Sequence, residues 1–415
     1  MKRRWGLLAL IFTGILISYV DRGNLGIAAP SIMRDFHLSP AVMGMLLSGF
    51  FWTYAAFQIP AGAIVDRFGI RRVYAGAFLL WSLASAGVAL SRGPGDVLVL
   101  RILLGLAEAA GPIASLSFIR QAFSGREQGL PTAIYIAGQN IGPALGTLLG
   151  TVLIASVGWR FMFAATGLGA LVWLPFWLWF APTARAPRPP GEQAGAKTAV
   201  RQSWPWRELA GGRALWAMSA CVFLSSYYWY FVLTWVPAYL TLSRGFSTLE
   251  MGRILSVPLF IMAPLNIAAG SLADRMAQRY NSVFGVRILF AALAYAGSAA
   301  VLLLLVIPSR AAVMPILIFS MSCVGIGNSS YWAISQHAPP AHMVGRVIGF
   351  LNTISQIAGA AAPLVTGWIL GPEKNFTVAI AVAGICPLLA SVCLLLAGAR
   401  GLESVKRQLS GGTAD

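Results

Sequence analysis

Long apolar runs recur along the chain, each closed by a short polar or glycine-containing connection. They lie near 5–29, 41–65, 73–91, 96–120, 128–156, 160–181, 214–240, 250–273, 284–307, 311–336, 345–370 and 376–398. A bilayer-spanning helix needs about 20 mostly apolar residues, so each run predicts one, and together they predict an all-α integral membrane protein. The first run is too long for a removable signal peptide and lacks the small-residue cleavage site, so it reads as the first spanning helix. From Pro182 to Arg213 the apolar pattern stops, in a stretch rich in Pro, Gly and Ala that carries Arg185, Arg188, Lys197, Arg201 and Arg207. This stretch divides the helices six and six. The expected organisation is a six-helix bundle over 1–181, a linker over 182–213, and a second bundle with a short tail over 214–415.

Composition sharpens the class. The 415 residues are 58% hydrophobic and 10% charged, against about 25% charged in an average soluble chain. A net charge of +17 would point to nucleic acid in a soluble protein, but its distribution explains it otherwise. With the N-terminus cytoplasmic, the inner side starts with Lys2, Arg3 and Arg4, while the outer loops hold only Arg34, Arg92, Arg160, Arg244, Arg253, Arg310 and Lys374. That bias, about three to one, satisfies the positive-inside rule, puts both termini in the cytoplasm and makes the lipid bilayer the partner. Cys221, Cys323, Cys386 and Cys393 are scattered through apolar runs with no CxxC pair or Cys/His cluster, so neither metal nor disulfide nor other cofactor is indicated. His37, His337 and His342 fall in connecting segments, so a proton crossing the membrane would have to use a carboxylate. An integral-membrane enzyme finds no support, since no Ser/His/Asp set or phosphate loop is present. Nothing signals an oligomer, and a monomer is the default.

Four charges interrupt the apolar runs: Asp21 and Arg22 in the first, Arg101 and Glu108 in the fourth. Each costs about 2.5–3.5 kcal/mol at mid-membrane, so such residues persist where they pair or face a wet cavity. Asp21 lies about 24 Å along its helix. Arg101 and Glu108, about two turns apart, share a face, whereas Asp21 and Arg22 point about 100° apart. One arrangement sends Arg22 toward a central cavity and Asp21 toward the fourth helix. The alternative is a set of salt bridges that only fixes helix packing, but buried ion pairs are often no better than hydrophobic substitutes, which favours use. Arg22, a planar fork of donors that matches a carboxylate, is the expected anion holder.

The halves carry a faint repeat. Gly62-Ala-Ile-Val-Asp66-Arg67-Phe-Gly69-Ile-Arg71-Arg72 stands between the second and third runs, and Gly270-Ser-Leu-Ala-Asp274-Arg275 between the eighth and ninth. Matching short inner loops are the layout of a rocking carrier built from parallel repeats. An Asp beside an Arg can cap or pair across the seam between halves, forming contacts when the inner side closes.

On these residues the whole chain resembles the major facilitator superfamily. Gly138-Gln139-Asn140-Ile141-Gly142-Pro143 with Gly146 is similar to its Gly/Pro-rich fifth helix. Within it, Tyr19-Val20-Asp21-Arg22 and Tyr227-Tyr228-Trp229-Tyr230…Thr234-Trp235-Val236-Pro237 resemble the anion:cation symporter family. That group includes bacterial sugar-acid carriers and the sialin and vesicular glutamate carriers. The resemblance implies proton-coupled symport of a small organic anion by alternating access, from a bacterial inner membrane if the chain is prokaryotic. It places Arg22 on the substrate carboxylate, with Asp21, Glu108 and Arg101 in proton coupling, and it implies substrate contacts from Tyr54, Gln139, Ser329, Trp332 and Asn352. Gly62, Asp66, Arg67, Arg71, Asp274 and Arg275 are the gating motif that it implies. An uncoupled facilitator or a proton antiporter is the other reading of the same fold. Uncoupled anion entry is opposed by about 2.3 kcal/mol per charge per 100 mV.

Overall fold

A computed structural model of the chain describes residues 2–123, 127–181, 213–339, 343–398 and 401–402. The expected linker, apart from Arg213, lies outside the described residues, as do His342 and the tail beyond 402. Among the described residues, twelve helices are long and apolar enough to cross a membrane. They are α1 (Arg4–Asp35), α2 (Pro40–Phe68), α3 (Ile70–Leu90), α4 (Pro94–Ala122), α5 (Gly129–Val157), α6 (Trp159–Phe180), α7 (Arg213–Thr234), α8 (Thr248–Arg279), α9 (Val283–Val306), α10 (Arg310–His337), α11 (Val344–Leu370) and α12 (Phe376–Ala397). No strand occurs among the described residues. Twelve consecutive spans return the chain to the face it started from, called proximal below; the opposite face is distal.

Two boundaries depart from the apolar runs for local reasons. α1 continues six residues past its run, because Ile32 and Met33 are buried and Trp159 Nε1 donates to Asp35 Oδ2 at 2.6 Å. α7 stops at Thr234, short of its run, where Pro237 has no N–H to continue the ladder. A wide turn follows, with the Arg244 N–H reaching the Tyr239 carbonyl five residues back. His337, expected in a connection, is the last residue of α10.

α4 is broken rather than straight. Its regular segments are Pro94–Glu108 and Ala110–Ala122. Pro112 is four residues beyond Glu108, so the Glu108 carbonyl loses its helical N–H donor. The chain is therefore interrupted at a buried carboxylate.

Close backbone approach fixes the packing of α1 on α5. Gly138, Gly142, Gly146 and Gly150 recur every four residues, and a Cβ on any of them would fall within about 3 Å of α1. At Gly142 it would meet Tyr19 Cβ at 2.6 Å and the Leu16 carbonyl at 2.8 Å. Gly142→Val should therefore cost about 1–3 kcal/mol by overpacking, read as a lower unfolding temperature of the purified protein. An unchanged unfolding temperature would mean that the two helices can part without penalty. The first six spans also join through α2–α4, α3–α4 and α3–α6, and the last six through α7–α12, α7–α11, α8–α10 and α9–α10.

The two sets meet mainly where α2 crosses α11 and α5 crosses α8. On the distal side the contact is backbone on backbone. A Cβ on Gly44 would come within 2.5 Å of the Pro363 carbonyl, and one on Gly26 within 2.4 Å of the Leu233 carbonyl. Gly252 of α8 lies against the side chain of Thr151 of α5. Further along the α2–α11 seam, Asn352 Nδ2 donates to Gln58 Oε1 at 3.3 Å. Proximal to that bond, a Cβ added to Gly62, Gly345 or Gly349 would meet nothing within 4 Å among the described residues.

Candidate functional site

The charged residues of α1 and α4 converge in the middle of the first six spans. Ser18 and Arg22 are four residues apart and so share a face of α1. Both donate to one oxygen of Glu108: Ser18 Oγ at 2.8 Å, Arg22 Nη2 at 2.9 Å and Arg22 Nε at 3.3 Å, all to Oε2. The other oxygen, Oε1, is buried and has no partner. The Glu108 side chain is fully buried, while 10% of the Arg22 side chain is exposed. The Arg22 guanidinium also lies over the rings of Tyr19, Phe50 and Tyr54 at 4.5, 4.7 and 4.6 Å. Those aromatic faces stabilise a cation that the lipid core would otherwise penalise.

Asp21 turns away from this pair. The rotation of α1 that brings Arg22 to Glu108 carries Asp21 to α3, not toward α4 as expected. There Ser85 Oγ donates to its Oδ1 at 2.9 Å, and Asn24 Nδ2 does so at 3.4 Å. Asn24 Nδ2 also donates to Thr166 Oγ1 of α6 at 3.0 Å. Arg101 stands apart: its guanidinium carbon is 5.2 Å from the Phe50 ring centre, and its buried Nε and Nη1 have no hydrogen-bond partner.

A cavity of about 110 Å³ opens beside these residues, between the two sets of spans. Arg22, Arg101 and Tyr19 line one wall, with Thr147 of α5; Trp229 and Tyr230 of α7 line the other. Asp21 and Glu108 stand behind the wall. The arrangement can hold an anion on guanidinium groups, with the Glu108 carboxylate in reserve to neutralise Arg22 when no anion is there.

The other expected contacts are spread more widely. Tyr54 is buried, stacked on Phe50 with ring centres 5.2 Å apart, and touches Arg22. Gln139 Nε2 donates to Tyr135 OH at 3.0 Å. Asn352 holds Gln58 across the seam. Ser329 is exposed and Trp332 is half-buried edge-on to Tyr331; neither lines the cavity. In the loop motif, a Cβ added to Gly62 would meet nothing within 4 Å, and Asp66 and Arg67 are exposed. Arg71 donates to the Leu178 carbonyl, and Trp177 Nε1 donates to the Arg71 carbonyl at 3.1 Å. Asp274 pairs with Arg287 of α9, and Arg275 is exposed.

Sequence reasoning overlooked Ser18, Asn24, Ser85 and Tyr230. The signal for the first two was present, since Ser18 precedes Arg22 by four and Asn24 follows Asp21 by three, the spacings that share a helix face. No spacing ties Ser85 to Asp21, and Tyr230 is one of several aromatics in a row. Its ring packs edge-on against Phe51 at 4.7 Å, and its hydroxyl donates to Gln356 at 3.3 Å.

Comparison with known proteins follows the same lines. A curated hexuronate transporter of Bacillus subtilis (strain 168) is 26% identical over 95% of this chain and 94% of its own. A probable galactarate/D-glucarate transporter of Escherichia coli (strain K12) is 27% identical over 94% of both chains. A probable sulfoacetate transporter of Cupriavidus necator is 27% identical over 92% of this chain and 91% of its own. Among solved structures, a bacterial homolog of the human lysosomal transporter Spinster, inward-facing and unoccupied, superposes with a TM-score of 0.76 at 18% identity, covering 98% of both chains. A D-xylose-proton symporter gives 0.72 at 16% identity, covering 94% of this chain and 97% of that one. These two share the fold. The family profile described as Major Facilitator Superfamily matches residues 11–363. Twelve apolar spans, a charged cavity between two sets of six and that match make the chain a multi-pass membrane transporter that belongs to the Major Facilitator Superfamily.

Proposed function

We propose that this protein carries a small organic anion, a sugar acid or similar carboxylate, in symport with protons. The observation that supports it most is the Arg22–Glu108 pair: a guanidinium at the cavity wall whose one ion partner among the described residues is a buried carboxylate behind it. A substrate carboxylate arriving in the cavity competes with Glu108 for the Arg22 fork. A proton on Glu108 removes that competitor and frees the fork. Asp21, with one buried oxygen unpartnered, is the second proton acceptor. The names of the relatives, hexuronate and galactarate or glucarate transporters, fit an acidic sugar as cargo. The bundles 1–181 and 214–415 rock about the cavity as a monomer. With both termini cytoplasmic, the tight glycine seam faces outward and this state opens inward.

Two measurements test the reading. In proteoliposomes, an inward proton gradient should drive accumulation of a labelled sugar acid; uptake indifferent to pH would leave an uncoupled facilitator. Arg22→Lys keeps the charge but loses the planar fork, so binding of that acid should weaken about tenfold or more, at a cost of about 1.4 kcal/mol or greater. Unchanged affinity would remove Arg22 from the site.

A further inference from the structure

We infer that the cavity is built for a dianion, with Arg101 taking a second carboxylate while Arg22 takes the first. The inference deepens the organic-anion reading above and rests on it. Arg101 is 3% exposed, yet its Nε and Nη1 are buried without an acceptor, and the same side chain reaches the cavity wall. Buried guanidinium N–H groups without an acceptor are costly to keep unless a partner arrives. The internal carboxylates direct their hydrogen bonds elsewhere, although Glu108 Oε1 and Asp21 Oδ2 keep no partner. Glu108 takes Ser18 and Arg22 on Oε2, and Asp21 takes Ser85 and Asn24 on Oδ1; neither forms a salt bridge to Arg101. The cavity is the direction from which an acceptor can come.

Spacing supports a single cargo bridging both groups. Arg22 and Arg101 lie 4.7 and 5.2 Å from the same Phe50 ring centre, so their separation cannot exceed the sum of those distances. A short dicarboxylate spans that interval with a guanidinium at each end. The opposite wall offers no substitute. Among the described residues of α7 to α12, every Lys and Arg sits near a helix end, and the wall from that side is Trp229, Tyr230, Thr234 and apolar groups. Both acidic groups of the cargo must therefore be met by the first six spans. Charge balance agrees. With Asp21 and Glu108 protonated, the four side chains carry two positive charges, which a dianion neutralises and a monoanion leaves half compensated.

The test uses a matched pair on one six-carbon skeleton, gluconate with one carboxylate and glucarate with two, titrated calorimetrically against the purified full chain at low ionic strength. The wild type should bind glucarate at least about tenfold tighter than gluconate. Arg101→Gln should bring that ratio to near one, and Arg101→Lys should lower it part of the way. Arg22→Gln should lose both ligands. Equal wild-type affinities, or a ratio untouched by both Arg101 substitutions, would overturn the dianion inference while leaving the organic-anion reading in place. Failure of the wild type to bind either acid would count against both. Should Arg101→Gln not yield folded protein, the wild-type ratio and Arg101→Lys decide.

Discussion

Glu108→Gln is expected to abolish proton-driven accumulation while leaving exchange of substrate across the membrane intact. The glutamine is nearly isosteric, and its amide oxygen can still accept from Ser18 and Arg22 as Oε2 does at 2.8 and 2.9 Å. What disappears is the negative charge. Arg22 then has no internal anion to return to when the cavity empties, and no proton needs to load before cargo binds. Each coupled proton contributes about 1.4 kcal/mol per pH unit, a tenfold accumulation ratio. Under a two-unit gradient the wild type should reach about a hundredfold per coupled proton, and the variant a ratio near one. Counterflow of labelled substrate against unlabelled should persist. Accumulation by the variant at wild-type levels would make Glu108 a structural partner of Arg22 and move coupling elsewhere, with Asp21 next in line.

Gly367→Val should break the distal seal and shift the protein away from the state described here. A Cβ at 367 would lie 2.5 Å from the Pro40 carbonyl and 3.1 Å from Gly44 Cα, and backbone atoms cannot rotate aside. Overpacking of this kind costs about 1–3 kcal/mol, and one or two kcal/mol changes a population ratio by a factor of about 5–30. Transport should fall about tenfold or more. A Thr234→Cys probe at the cavity wall should react faster with a membrane-impermeant maleimide added from the distal side. Gly349→Val on the same helix, where an added Cβ would meet nothing within 4 Å, is the control and should transport normally. Unaltered labelling in Gly367→Val would show that the α2–α11 seam is not the barrier.

The spans were legible because hydropathy over twenty residues is a one-dimensional property, and lipid imposes it on each helix separately. The ends were less so. Residues 30–35 of α1 look like a loop by composition, and they stay helical because Ile32, Met33 and Asp35 find partners on distant parts of the chain. The four membrane charges were visible at once as costly exceptions. Their pairing was not, since a helix may turn about its axis without altering its sequence. Adjacent residues Asp21 and Arg22 face different neighbours, and which one meets α4 depends on how Gly138 to Gly150 seat α1 on α5. The spacing of Ser18 to Arg22 would have named the face, though not what it looks at. Pro112 could have signalled the break in α4, but the run reads as one span by hydropathy, and the break gains meaning only from the side chain that stands there.

The ring cage around Arg22 has a consequence for what the cavity can choose between. A guanidinium resting on the faces of Tyr19, Phe50 and Tyr54 sheds little hydration when an anion arrives, because aromatic carbon already stands where water would be. The toll of dehydration thus falls mostly on the cargo. Selection among acids of similar shape should follow how readily each surrenders its own water.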